Sequence, residues 1–434
     1  MIEAAVNSFR IPDLRQKIIF TAAMLVVFRF IAHVPVPGVN AEALRSLFES
    51  NQLIGMLDLF SGGAMSSFSI AAMGVYPYIT AQIIVQLMVP IIPRLQEMAN
   101  EGESGRNKIN QWTHYLTVPL AFLQAFGTVQ FINSTSQQPI LHGFGFDQNV
   151  LGTLALLISM TAGTMLLIWI GELITQSGIG NGISILIFAG IVAALPRSTW
   201  QGLAGGTDMT RLAGLAFFVV LSLVTIFAIV FVYEGQRRIP VQYARRIRGN
   251  RWYGGGTTHI PLRVNSAGMI PLIFASSIMI FPGTVASYFL GSQNEVVAQI
   301  AKWVYDLFYL GSSWLYWVFY FIMVVGFTFF YALVLFEQQQ IAENLQKHGG
   351  FIPGIRPGRP TQEYLYKVLT RITWAGAIFL GIVAVLPFIA RQLTGLQALT
   401  LSSTGLLIVV GVVLDTIKQL EAQLLMRHYQ GFIR

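Results

Sequence analysis

No cysteine occurs among the 434 residues, which removes disulfides and thiolate chemistry and leaves a soft-metal site without its usual ligands. Charge is nearly as scarce. Asp, Glu, Lys and Arg make up 11% of the chain, against about 25% in soluble domains. Catalytic signatures are missing too: there is no Walker A lysine motif and no G-x-S-x-G. The six histidines (His33, His114, His142, His259, His348, His428) are scattered without metal-ligand spacing. Met1–Lys17 carries charge but no cleavable apolar stretch, so no removable signal segment is expected there. An enzyme has little to stand on in this chain.

Apolar residues are abundant instead: 54% hydrophobic and 12% aromatic, with mean hydropathy +0.62. The long unbroken runs exclude the alternating strands of an outer-membrane barrel. Ten runs approach the length of about 20 residues that a helix needs to cross a bilayer. They are Ile18–Val34, Val75–Ile92, Trp112–Ile132, Leu151–Gly171, Ile183–Leu195, Leu212–Tyr233, Ser266–Phe289, Ser312–Phe336, Val368–Ile389 and Leu401–Ile417. The expected class is therefore an all-α integral membrane protein with ten transmembrane helices.

Lys and Arg between these runs fix an orientation. One set of connections, with both termini, holds 21 basic residues and the other 5, with Arg29 inside the first run. The richer side is expected to be cytoplasmic. Two connections on it are long and basic, 234–265 and 337–367. The first has seven arginines and no lysine: Arg237, Arg238, Arg245, Arg246, Arg248, Arg251 and Arg263. Arginine suits planar, bidentate contact with phosphates or carboxylates. Orientation and attraction to anionic lipid explain part of this density. The excess points to a docking site for a large polyanionic or acidic partner, such as ribosomal RNA or an acidic protein. In Phe351–Pro360, three prolines fix φ and are expected to present Arg356 and Arg359.

Leu57–Ile92 stands out. Its first part, Leu57–Ile70, is too small and glycine-rich to span, yet too apolar for a solvated loop. Such a segment needs shelter in a protein-lined cavity. The second part is uncharged and broken near its ends by Pro77 and Pro90. Gly102–Arg106 and Gly178–Gly182 read as tight turns, because neither follows a strand as a phosphate cradle would. The ionisable groups Arg29, Glu172, Glu234, Glu337 and Asp415, in or immediately beside the runs, all fall near expected ends. Ion-coupled transporters usually keep such groups at midplane. A secondary transporter built on inverted repeats is the alternative to an unselective pore.

Four stretches, in order along nearly the whole chain, resemble the SecY family of bacterial protein-translocase channels. They are Gly102–Ile109 (GESGRNKI), Gly178–Val192 (GIGNGISILIFAGIV), Val264–Ile278 (VNSAGMIPLIFASSI) and Phe351–Gly358 (FIPGIRPG). The resemblance implies two pseudo-symmetric five-helix halves, residues 1–200 and 201–434, around a central pore. It implies a constriction ring of Ile79, Ile83, Ile187, Ile273 and Ile408, an apolar gate that dewets against ions. It implies a plug over about 58–72, including Asp58, Phe60, Ser61, Gly62, Gly63, Met65, Phe68 and Ile70. The plug's small residues suggest easy displacement, since little apolar area would be lost. A lateral gate to lipid would carry Gln86, Ser276 and Ser277. Implied partners are SecE and SecG subunits, the SecA motor ATPase, the ribosome at the basic loops, the unfolded preprotein with its signal sequence, and membrane lipids. The implied function is translocation of unfolded polypeptides across the cytoplasmic membrane and lateral release of apolar segments into it. No cofactor is implied.

Overall fold

Helices dominate for the reason that governs any chain in hydrocarbon: each backbone N–H and C=O must be paired within its own segment. The computed structural model describes residues 11–36, 39, 44, 61–135, 144–145, 149–204, 209–243, 246–248, 251–253, 256–268, 270–289, 294–308, 314–339, 341–394 and 398–431. The helices are α1 (Pro12–Ile31), α2 (Tyr76–Met88), α3 (Pro93–Asn100), α4 (Glu103–Thr135), α5 (Val150–Ser177), α6 (Gly182–Ala204) and α7 (Met209–Glu234). They continue as α8 (Ile270–Phe289), α9 (Glu295–Phe308), α10 (Trp314–Gln339), α11 (Ile341–Lys347), α12 (Arg359–Thr394) and α13 (Ala398–Gly431). Each of the ten apolar runs coincides with a helix; α3, α9 and α11 are additional.

The second run is shorter as a helix than its hydrophobicity suggested. Helix α2 stops at Met88, since Pro90 has no N–H to continue it. The chain then turns, and α3 leaves at 100° to α2. Pro93 opens α3 at a first-turn position, where no intrahelical donor is needed.

Two compact units account for the chain. The first comprises Met1–Ser222, Ser276–Trp317 and Pro387–Arg434. Within it α2 packs on α4, α4 on α5, α5 on α6, α6 on α13, and α1 on α5. Of the two glycine motifs, 178–182 is a turn with Gly180 at φ +78°, whereas in 102–106 only Gly102 (φ +84°) belongs to the turn and Glu103–Arg106 already form the start of α4. The second turn is bolted down by hydroxyls. Gly182 N–H donates to Thr175 Oγ1 at 2.8 Å and Ile179 N–H to Thr21 Oγ1 at 3.2 Å, which fastens the turn to α1.

The second unit, Leu223–Ala275 with Val318–Leu386, contains a small sheet that the sequence pattern did not announce. Strand β1 (Gln236–Tyr243) pairs antiparallel with β4 (Thr257–Arg263), from Gln236 opposite Arg263 to Gln242 opposite Thr257. Strand β5 (Gly350–Phe351) adds to the other edge of β1, Gln242 opposite Phe351. The two basic connections are thus one sheet, ordered β4-β1-β5. Between β1 and β4, β2 (Arg246–Arg248) and β3 (Arg251–Tyr253) form a separate ribbon. Ile239 and Val241 alternate inward from β1 onto Phe336, Leu345, Ile352 and Leu365. Gly350 fits where a Cβ would come within 2.9 Å of Leu345 Cδ2.

Leu365 is fully buried in this cluster, so Leu365→Ala is expected to remove about 2–5 kcal/mol of local stability. Limited proteolysis should then cut within 234–265 faster, with cleavage elsewhere unchanged. Equal cleavage rates in parent and variant would mean that the sheet does not depend on this core.

Candidate functional site

The segment 61–74 has little regular structure yet is mostly buried, so its polar groups are satisfied locally or by α1. Ser61 Oγ accepts from Met65 N–H at 3.1 Å, Ser66 Oγ donates to the Gly63 carbonyl at 2.8 Å, and Ser69 N–H donates to the Ala64 carbonyl at 2.9 Å. Val36 N–H donates to the Phe68 carbonyl (3.0 Å) and Ile70 N–H to the Val34 carbonyl (3.1 Å). These two bonds stitch the segment to the chain leaving α1. The Arg29 guanidinium, in the last turn of α1, donates to the Gly62 carbonyl.

Packing here is tighter than the sequence suggested. Met65 and Phe68 are 2% and 0% exposed, in one cluster with Val129, Ile132, Leu157 and Met160. The expectation of a loosely held plug with little apolar area at stake is corrected on this point. The segment is small in most side chains, but its few large ones reach into the space between α4 and α5. Phe68 also adopts φ +42°, a left-handed conformation unfavourable for a side chain. Gly62, at φ +71°, permits the closest approach: a Cβ there would lie 2.9 Å from Gly190 Cα and 3.0 Å from Phe28 Cζ. A Cβ on Gly163 of α5 would collide with the Ile70 carbonyl. Asp58 and Phe60 lie outside the described residues.

Each expected ring isoleucine is buried: Ile79 4%, Ile83 3%, Ile187 3%, Ile273 8% and Ile408 2% exposed. Ile79 and Ile83 share one face of α2 at i, i+4. Two contacts set the register between α6 and α13. A Cβ on Gly405 would sit 2.7 Å from Ile191 Cγ2, and one on Gly180 would sit 3.3 Å from Thr416 Oγ1. The residue number rises along α13 as it falls towards the start of α6, so the helices are antiparallel. That register brings Ile187 and Ile408 to one level. Gly190, which touches Gly62, lies three residues along α6 from Ile187. The segment 61–74 therefore packs on α6 about one turn from that level. Ile273 belongs to the second unit.

Of the expected lateral-gate residues, Ser277 carries the observed link. The Tyr76 hydroxyl donates to the Ser277 carbonyl at 2.9 Å, joining α2 to α8. Sequence reasoning missed Tyr76 because the bond uses a backbone acceptor, which no residue pattern advertises. A relay continues behind it: Thr80 Oγ1 donates to the Tyr76 carbonyl (3.1 Å), and Gln124 Nε2 to Thr80 Oγ1 (3.4 Å). Ser276 is buried beside Ser277. Gln86 Oε1 is enclosed and accepts no hydrogen bond among the described residues. Glu172 is met by His114, Nε2 to Oε1 2.7 Å, and the His114 ring lies 5.5 Å from that of Tyr78.

On the sheet, Arg237 and Arg238 are exposed. Register pairs Arg246 with Tyr253, Ile247 with Trp252 and Arg248 with Arg251 across the ribbon. Arg245 lies outside the described residues. Arg356 and Arg359 are exposed on a braced loop. Thr361 Oγ1 donates to the Arg356 carbonyl at 2.8 Å, Ile355 N–H to the Ile352 carbonyl at 3.0 Å, and Thr361 N–H to the Gly358 carbonyl at 3.1 Å. Gly354 (φ +82°) and Gly358 (φ +101°) make the bends.

Apolar helices sheltering a stretch of irregular backbone are the architecture of a polytopic membrane protein. The same fold occurs in a solved structure described as that of a protein conducting channel: TM-score 0.62, 17% identity, covering 94% of this chain and 92% of that one. It recurs in a SecY structure concerned with how the plug domain stabilises the closed state, with TM-score 0.65, 18% identity and the same coverage. The SecY family model matches residues 69–417. Protein translocase subunit SecY of Streptomyces galbus is 44% identical, with 100% of each chain covered. That of Thermotoga maritima is also 44% identical, over 100% of this chain and 98% of its own length. The chain belongs to the SecY family.

Cysteines are absent from the natural sequence, so engineered pairs report proximity without background. Ile187→Cys with Ile408→Cys should form a disulfide on mild oxidation, whereas Ile187→Cys with Thr416→Cys should not. Failure of the first pair alongside success of Ile191→Cys with Gly405→Cys would separate the two isoleucines in level.

Proposed function

We propose that this chain is a passive protein-conducting channel, which passes unfolded secretory polypeptides across the cytoplasmic membrane and releases apolar segments sideways into lipid. The observation that carries this reading is the full-length likeness to protein translocase subunits. The apolar level formed by Ile187 and Ile408, with segment 61–74 packed nearby, supplies the physical means. In this reading 61–72 is the described part of the plug, and Ile79, Ile83 and Ile273 complete the ring. An isoleucine ring dewets when empty, blocking ions, and offers a passing chain no preferred polar partner.

Arg29 and the two backbone bonds to Val34 and Val36 hold the plug shut. Tyr76 with Ser277, together with Gln86 and Ser276, forms the seam of the lateral gate. A single interhelical hydrogen bond in a membrane is worth about 1 kcal/mol, and burying one large apolar side chain about 1.5–3 kcal/mol. An apolar signal segment can thus outweigh the seam. The 21-to-5 division of basic residues supports cytoplasmic termini and a cytoplasmic sheet. Residues 1–200 and 201–434 act as the two halves of the translocation path. The chain itself catalyses nothing, and energy comes from a partner: the SecA motor, or the ribosome docked on the arginines of the sheet, the ribbon and Arg356–Arg359. Related channels have been solved on ribosomes. SecE and SecG complete the assembly. A small-solute transporter is not favoured, because the span-end charges Arg29 and Glu172 serve structural contacts.

Channel reconstituted in vesicles with its motor should import an unfolded precursor. Vesicles that move a small solute down its gradient but never a precursor would overturn the reading. Arg29→Met should raise ion leak through the resting channel. An unchanged leak in this variant and in Gly62→Val would release segment 61–74 from the plug role. Arg356→Glu should slow motor-driven import by an order of magnitude or more at normal channel abundance, as expected for about 1.4 kcal/mol or more of lost partner contact. Parental rates would reduce that loop to a determinant of orientation.

A further inference from the structure

Helix α9, between α8 and α10, divides its surface into three stripes, each following helical spacing. Ala301, Tyr305 and Phe308 form the first, which faces protein. Ala301 is 5% exposed, Tyr305 packs on the cluster containing Met65 and Phe68, and Phe308 lies against Gly283, where a Cβ would sit 3.5 Å from Phe308 Cβ. Glu295, Gln299, Lys302 and Asp306 form the second, polar and exposed. The third is apolar and equally exposed: Val296 64%, Ile300 59% and Trp303 68%.

A helix in water has no use for the third stripe, and a helix between proteins has none for the second. The three together fit a helix with protein behind it, water over it and lipid beneath it. Chain connectivity fixes where that is. Helix α9 falls in the basic-poor connection between the apolar runs Ser266–Phe289 and Ser312–Phe336, so by alternation of the runs it is on the side opposite the arginine-rich connections. The neighbouring helix ends are aromatic and exposed, Phe289 at 49% and Trp314 at 67%, as expected of residues at headgroup depth. From Trp314 the exposed apolar line runs on through Val318 and Ile322 of α10.

We propose that α9 lies in the headgroup layer of the membrane face that carries the basic-poor connections, with Val296, Ile300 and Trp303 on the acyl chains. This rests on the reading of the chain as membrane-spanning. Through Tyr305 the helix also joins the lipid surface to the cluster in which segment 61–74 is seated. Amphipathic helices bind such layers through their apolar face and sense lipid packing.

The cysteine-free chain allows a direct test in the complete reconstituted channel. A spin label is placed singly at Val296, Ile300, Trp303, Glu295 and Gln299, and at Ile158, an exposed position within α5. Collision with oxygen, enriched in lipid, is compared with collision with a water-soluble nickel chelate. Labels at 296, 300 and 303 should favour oxygen severalfold over those at 295 and 299, with 158 resembling the former. Nickel-favouring labels at 296, 300 and 303, with 158 still favouring oxygen, would overturn the proposal while leaving the channel reading intact. Shielding of those three labels from both reagents would overturn it in favour of a protein partner. Nickel access at 158 as well would remove the membrane-spanning premise, and the proposal with it.

Discussion

Backbone polarity in hydrocarbon is the constraint from which the rest of this structure follows. The helices satisfy it internally; segment 61–74 cannot, having too many glycines and serines to hold a spanning helix. It is instead sealed by serine hydroxyls turned onto its own backbone, by two bonds to the chain after α1, and by Arg29 on the Gly62 carbonyl. Such a segment persists at this depth only inside a protein cavity. The helices around it are correspondingly notched: Gly163 admits the Ile70 carbonyl where a Cβ would collide, and Gly62 of the segment lies against Gly190 with no room for a Cβ of its own. The shape of the first unit is thus set by what it must shelter.

The same economy governs the ionisable groups. Arg29 and Glu172 fall at the ends of expected spans, and each has a specific contact, a carbonyl and an imidazole respectively. The dense basic charge lies instead on the sheet, built by strands more than a hundred residues apart in sequence, β1 and β5. Joining the two loops fixes the spacing between the arginines of β1 and those of 356–359, which two independent loops could not do.

Much of this was legible in the residues. Apolar run length announced the ten spanning helices, and Pro90 foretold the break after α2. Gly102 and Gly180 make turns because glycine alone takes positive φ without strain, although the expected turn at 102–106 ends at Gly102, where α4 begins. The sheet was not legible: β1 alternates over only a few residues, and the cluster under it comes from α10, α11 and α12. Nor was the hold on segment 61–74. Phe68 and Met65 looked like two large residues in a weakly apolar stretch, and their burial depends on a cavity between helices that local sequence does not encode. Tyr76 escaped notice because its partner is a main-chain carbonyl. The level shared by Ile187 and Ile408 became visible only through Gly180, Thr416, Ile191 and Gly405, residues with no chemistry of their own.

Phe68 combines complete burial with a left-handed backbone. For a residue with a Cβ, that conformation costs about 1–2 kcal/mol relative to the right-handed one. Here the surrounding packing offsets it. In the proposed plug role, withdrawing the ring would forfeit the packing and release the strain together. Phe68 would then act as a detent, held by its packing when engaged and relieved of backbone strain when released.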